Sequence, residues 1–101
     1  MQPEVSKLAA AEARLREEIL TIVRRRVPRG TRLSWRMMFE IEDEAVSKLQ
    51  QDDELDIHYI NMMVSPSAQR FPRTEKPAAL AEVYPTHTAL RMIQQAHQLG
   101  H

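Results

Sequence analysis

Apolar residues recur along the first quarter of the chain at helical intervals. Val5, Leu8, Leu15, Ile19 and Ile22 are separated by three, seven, four and three positions, a spacing that gathers side chains on one helical face. Leu20, Val23 and Val27 widen this stripe towards its end. Pro3 suits a first turn, and Ala, Glu and Arg fill the outward positions. The pattern predicts a helix over about 3–27, stopped by Pro28 and Gly30. Glu12 and Arg16 stand four apart as a surface pair.

A second helix is expected over 34–50, with Ser34 as its N-cap. At 100° per residue, Trp35, Met38, Phe39, Ala45, Val46 and Leu49 share one side, with Ile41 at its edge. A connection of about six residues predicts an antiparallel hairpin with the first helix. The third segment, 53–64, reads as a helix through Ile57, Ile60 and Val64. It reads as a strand through Leu55, Ile57, Tyr59 and Met63. The helix is the expectation because a lone strand has no evident partner.

The stretch 65–77 holds three of the six prolines and almost no apolar residues, so a Pro-rich loop is expected. A short helical turn over 78–83 precedes Tyr84-Pro85. A last helix is expected over 86–99, capped by Thr86, ended by Gly100, with Leu90, Ile93 and His97 inward. The elements imply one domain over 1–101: a mainly α, small helical bundle built on the N-terminal hairpin. The alternative is an α+β fold with a small β-hairpin from 56–64 and 78–84.

Composition narrows the classes. Leu, Ile, Val and Phe number 23 of 101 residues, enough for a thin core. No cysteine is present, which removes disulfides, thiolate catalysis and Cys-based metal sites. No apolar run reaches the length of a membrane span. A soluble protein of a bacterial cytoplasm, without a membrane partner, is the expectation.

Fourteen acids balance fourteen bases, yet the charges are blocked. Arg24, Arg25, Arg26, Arg29, Arg32 and Arg36 fall within thirteen residues. Glu40, Glu42, Asp43, Glu44, Asp52, Asp53, Glu54 and Asp56 follow, opposed only by Lys48. Guanidinium forks match phosphate geometry. However, nucleic-acid-binding domains carry a net positive charge, and the acidic helix would repel a duplex. The expectation is therefore a positive tip that complements a helix end, pairs with the acids after it and steers another protein.

Glu42 falls inside the apolar stripe, where an ionised carboxylate is costly unless paired. It could serve as a general acid or base with a raised pKa. With no nucleophile or second catalytic group identifiable nearby, the expectation is structural: it meets an arginine, such as Arg32, or a residue of the last helix, or reaches the rim. Arg26 faces the start of the second helix, about two turns from it. The histidines are His58, His87, His97 and His101, of which only His97 and His101 have helical ligand spacing. Gly100 breaks that pair, so no metal site is expected.

Phe71 and Arg73 in the loop are candidate partner contacts. Of the pairs Met37-Met38 and Met62-Met63, one member each should reach the core, leaving Met37 and either Met62 or Met63 near the surface. Leu33 to Glu42, LSWRMMFEIE, resembles a motif of small bacterial domains of unknown function. That resemblance covers about a tenth of the chain and implies a bacterial cytoplasm, with no activity attached. No catalytic, cofactor or metal residue is assigned. A non-enzymatic protein–protein interaction or adaptor module is expected, with self-association through opposed charges as one form of it. The alternative is a nucleic-acid-associated regulator using the arginines of 24–36.

Overall fold

Alanines and long charged side chains on the outside of the N-terminal segment favour a helix, and its apolar stripe gives that helix a face to bury. The computed structural model describes residues 3–52, 57–69 and 88–99, with side chains from Ser6 onward. In it the segment is α1, Pro3–Arg26. Leu8, Leu15, Ile19, Ile22, Val23 and Val27 are buried as their spacing predicts, together with Ala11. Glu12 accepts from Arg16 Nη2 at 2.7 Å on the outer face.

The connection after α1 is a tight turn in which Thr31 N–H donates to the Pro28 carbonyl at 2.9 Å. Gly30 occupies its third position with φ +88°, the left-handed conformation that a type II turn requires there. Ser34 then caps α2, Trp35–Leu49, by accepting the Met37 N–H on its side chain. Ion pairs along the hairpin fix its direction. Arg14 meets Asp52, Glu18 meets Lys48, Arg25 meets Glu44 and Arg26 meets Glu40. Numbers rise on α1 as they fall on α2, so the helices are antiparallel.

The buried arc of α2 comprises Met38, Ile41, Glu42, Ala45, Val46 and Leu49. Two expectations are corrected. Ile41 is fully buried, whereas Trp35 and Phe39 are 63% and 42% exposed. The arc is centred near Ala45, which draws Ile41 inward. Phe39 is left on its margin, and Trp35 sits in the first turn, where the core no longer covers it.

The third segment is helical, as α3, Ile57–Asn61, with residues 53–56 outside the described ones. After Asn61 the chain turns back, with Met63 N–H on the Ile60 carbonyl at 3.0 Å. That turn carries Met62, Met63 and Val64 all inward. The expectation that one of the two methionines stays near the surface is therefore overturned; Met37 alone of the four is half-buried.

The start of the expected loop is also packed. Pro66–Ala68 forms a 3₁₀ turn, and Ser65 and Ala68 are buried. The rest of the loop, the turn expected over 78–83 and the caps Thr86 and Gly100 lie outside the described residues. The last helix, α4, spans Thr88–Leu99 and buries Ala89, Leu90, Met92, Ile93 and Ala96. Its Ala89 N–H, which has no partner within the helix, donates to the Met63 carbonyl at 2.9 Å. α4 packs against both α1 and α2, α3 against α1, and the 3₁₀ turn against α2. No strand occurs among the described residues. The fold is a small, mainly α bundle, and 57–64 supplies no β-hairpin.

Candidate functional site

Helix ends expose unpaired carbonyls, and arginines in a last turn complement them. Arg24, Arg25 and Arg26 occupy that turn of α1. The antiparallel hairpin brings the first acids of α2 beside them. Arg25 is bonded to Glu44, and Arg26 Nη2 meets Glu40 at 2.8 Å and, through Nη1, Glu44 at 3.7 Å. Arg36 reaches Glu40 at 3.3 Å across one turn. The positive and negative blocks thus engage each other within one hairpin. Arg24, Arg29 and Arg32 have no such partner among the described residues.

Glu42 is completely buried, and its partner is neither Arg32 nor a side chain of α4. It accepts the Ser65 N–H at 2.9 Å and is also bonded to the Ser65 hydroxyl. Burial pushes the Glu42 carboxyl above its ordinary value. The hydroxyl and then the backbone N–H of Ser65 pull it partly back, and neighbouring Asp43 adds a smaller upward push. Ser65 Oγ lies 3.2 Å from Ser67 Oγ. Both donors to Glu42 come from one residue at the head of the 3₁₀ turn, so the carboxyl acts as an anchor for that turn. Pro66 follows Ser65 as the first residue of the turn, a Ser-Pro start signal present in the sequence but read there as loop.

The anchored turn forms one wall of a cleft of about 570 Å³ between α2 and α4. Trp35, Phe39, Pro66 and Leu90 provide its apolar surface, and Ser65, Ser67 and Gln94 its polar atoms. The Trp35 and Phe39 rings are 6.2 Å apart and tilted by 31°. Gln94 also borders a second cleft of about 420 Å³, lined by Arg32, Leu33, Met38, His97 and Gln98. The two clefts adjoin at Gln94; the one beside Leu90, the groove between α2 and α4, is apolar, and the one beside Arg32 is polar. His97 Nε2 lies 2.8 Å from the Thr31 carbonyl, which ties the residue before Arg32 to α4. A smaller cleft of about 220 Å³ between α1 and α4 is bordered by Leu20, Arg24 and Leu99.

Of the other sequence candidates, His97 and Arg32 line the polar cleft that adjoins the groove. His97 is half-buried and holds the turn, while His58 lies edge-on to Tyr59 at 5.6 Å. His87, His101, Phe71 and Arg73 lie outside the described residues. Among the described residues no group of three or more His, Asp or Glu could hold a metal ion, and no helix is long and apolar enough to cross a membrane. Arg36 is exposed beside Trp35 and Arg32 borders the polar cleft. Arg24, Arg25 and Arg29 are exposed on the α1 end and the turn. No protein-family model, curated protein or solved structure matches the chain.

Proposed function

We propose that the chain is a non-enzymatic protein–protein interaction module of a bacterial cytoplasm that receives its partner in the groove between α2 and α4. One observation carries the reading. The only tryptophan of the chain and one of its two phenylalanines stand exposed, side by side, on an apolar cleft. Aromatic side chains on such clefts are the usual anchors of protein interfaces. Covering them removes on the order of 200 Å² of apolar surface from water, worth about 5 kcal/mol at 25 cal/mol per Å². Association costs a comparable amount, ~4–15 kcal/mol. The aromatic pair therefore anchors a partner without binding it tightly by itself, which suits a reversible adaptor contact.

The test is retention of a partner from native cell extract on the wild-type chain, Trp35→Ala, Phe39→Ala and Arg24→Ala/Arg25→Ala, each with and without nuclease. The reading requires a protein that survives nuclease, is lost with Phe39→Ala and reconstitutes when both components are purified. Retention indifferent to both aromatic substitutions sinks it. Association with nucleic acid is the second reading, supported by Arg24, Arg29 and Arg32, the arginines of the cluster that no carboxylate engages among the described residues. A salt-dependent shift of generic DNA or RNA that Arg24→Ala/Arg25→Ala abolishes would favour it. Self-association through opposed charges is weakened, because Glu40 and Glu44 already engage Arg25, Arg26 and Arg36 within the same hairpin.

A further inference from the structure

The apolar groove adjoins a polar cleft at Gln94, and that pairing describes an occupant of the groove. We infer that it receives an amphipathic helical segment of another protein. Its bulky apolar side chains seat against Trp35, Phe39 and Leu90, and a carboxylate about two turns further on meets Arg32. The inference rests on the interaction reading above and adds the chemistry of the partner.

Spacing comes from α4, which forms one side of both clefts. Leu90 borders the apolar cleft, Gln94 both and Gln98 the polar one. At 1.5 Å per residue, Leu90 to Gln98 spans about 12 Å, the length of two turns of a helix laid alongside. A helix in such a groove offers apolar residues at i and i+4 and a charge near i+8. The sign of that charge follows from the hairpin. Its carboxylates Glu40 and Glu44 are taken by Arg25, Arg26 and Arg36, whereas Arg32 is exposed and has no carboxylate partner among the described residues. The bond between His97 and the Thr31 carbonyl fixes the backbone beside it. Arg32 thus borders the polar cleft as an exposed cation, able to take a carboxylate through two parallel N–H bonds. A basic segment would meet repulsion at the same place, which gives the site a way to reject wrong partners.

Trp35 supplies the assay, since as the only tryptophan its fluorescence reports the apolar end directly. A displayed library of random short peptides is selected on the full chain, and the best peptide is titrated while Trp35 emission is followed at low salt. The selected peptides should combine bulky apolar residues with an Asp or Glu about two turns away. Arg32→Glu should weaken binding by about tenfold or more, Arg32→Gln by less, and changing the peptide acid to Lys should restore affinity for Arg32→Glu. Arg32 is exposed, so these variants keep the fold, which circular dichroism verifies. Selected peptides that need Phe39 but show no preference for an acid overturn the inference and leave the interaction reading standing. A shift in Trp35 emission with protein concentration alone makes a second copy the occupant and overturns it as well. Failure to select any peptide sensitive to Phe39→Ala overturns both.

Discussion

Replacing Glu42 by Gln tests the sign of the electrostatics at the centre of the fold. Glu42 is 0% exposed, and its recorded donors are the N–H and hydroxyl of Ser65. Desolvation outweighs these bonds, so the folded-state pKa lies above the ordinary value of 4.5. Below about pH 4.5 the proton is bound in both the folded and unfolded chains, and the neutral acid contributes its full stability. As pH rises towards the folded-state value, the unfolded chain releases its proton first, and stability is lost. Gln keeps the shape, accepts the Ser65 N–H through its oxygen and offers its amide to the hydroxyl, but cannot ionise.

The expected result is a pH-dependent difference between two chemical denaturation series. Near pH 4.5, Glu42→Gln should lie within about 1 kcal/mol of wild type. Above that pH the variant should gain on wild type until the folded-state value is passed, and then run parallel to it. The height of that rise measures the displacement at about 1.4 kcal/mol per pH unit. Glu42→Ala should instead cost about 3 kcal/mol even at low pH, because it leaves the Ser65 N–H buried and opens a cavity. A flat difference, or wild type gaining on the variant as pH rises, would refute the reasoning. It would mean that Ser65 stabilises the anion by more than burial penalises it.

Three further outcomes follow from the packing. Trp35→Ala should change unfolding free energy by less than about 1 kcal/mol, whereas Ile41→Ala, fully buried further along the same helix, should cost about 2–5 kcal/mol; comparable losses would place Trp35 in the core. Ser34→Ala should cost about 1 kcal/mol in urea denaturation by removing the acceptor for the Met37 N–H. Gly30→Ala should cost about 1–2 kcal/mol from its positive φ alone, since no atom lies within 4 Å of the added methyl. A neutral result there in thermal unfolding would mean that the turn adopts another form.

The hairpin was legible in the sequence because one rule governs it at every level. Helical spacing, Ser34 as cap, Pro28 and Gly30 as stops, and opposite charges on facing helices all point to the same structure. The margin of the core was not legible. On a helical wheel Trp35 and Phe39 belong to the apolar side, and only the position of α4 decides that a groove opens beside them. Spacing also gave no means of telling Ile41 from an edge residue, because burial depends on which side the neighbouring helix covers. Met62 and Met63 broke the one-in, one-out rule because the chain turns back after Asn61, where helical periodicity no longer applies. Glu42 was visible as an anomaly, but its partner lay 23 residues away in a stretch whose prolines read as loop.

The anomaly in the core and the exposed groove are two sides of one element. Ser65 lines the apolar cleft with Pro66 and Ser67, and Glu42 holds Ser65 by both its N–H and its hydroxyl from beneath. A buried carboxyl is an inefficient way to stabilise a core, since well-packed apolar groups often do as well or better. It does, however, specify one backbone position, because its two oxygens meet two donors of one residue. The Glu42–Ser65 contact therefore sets where the groove wall stands relative to Phe39 rather than how firmly the bundle holds. Ser65→Ala, which removes the hydroxyl and keeps the N–H, should separate these roles. Stability should fall by about 1 kcal/mol, and peptide binding reported by Trp35 should weaken with it if the wall shifts. Unchanged peptide binding alongside the stability loss would reduce Glu42 to a structural anchor with no part in the groove.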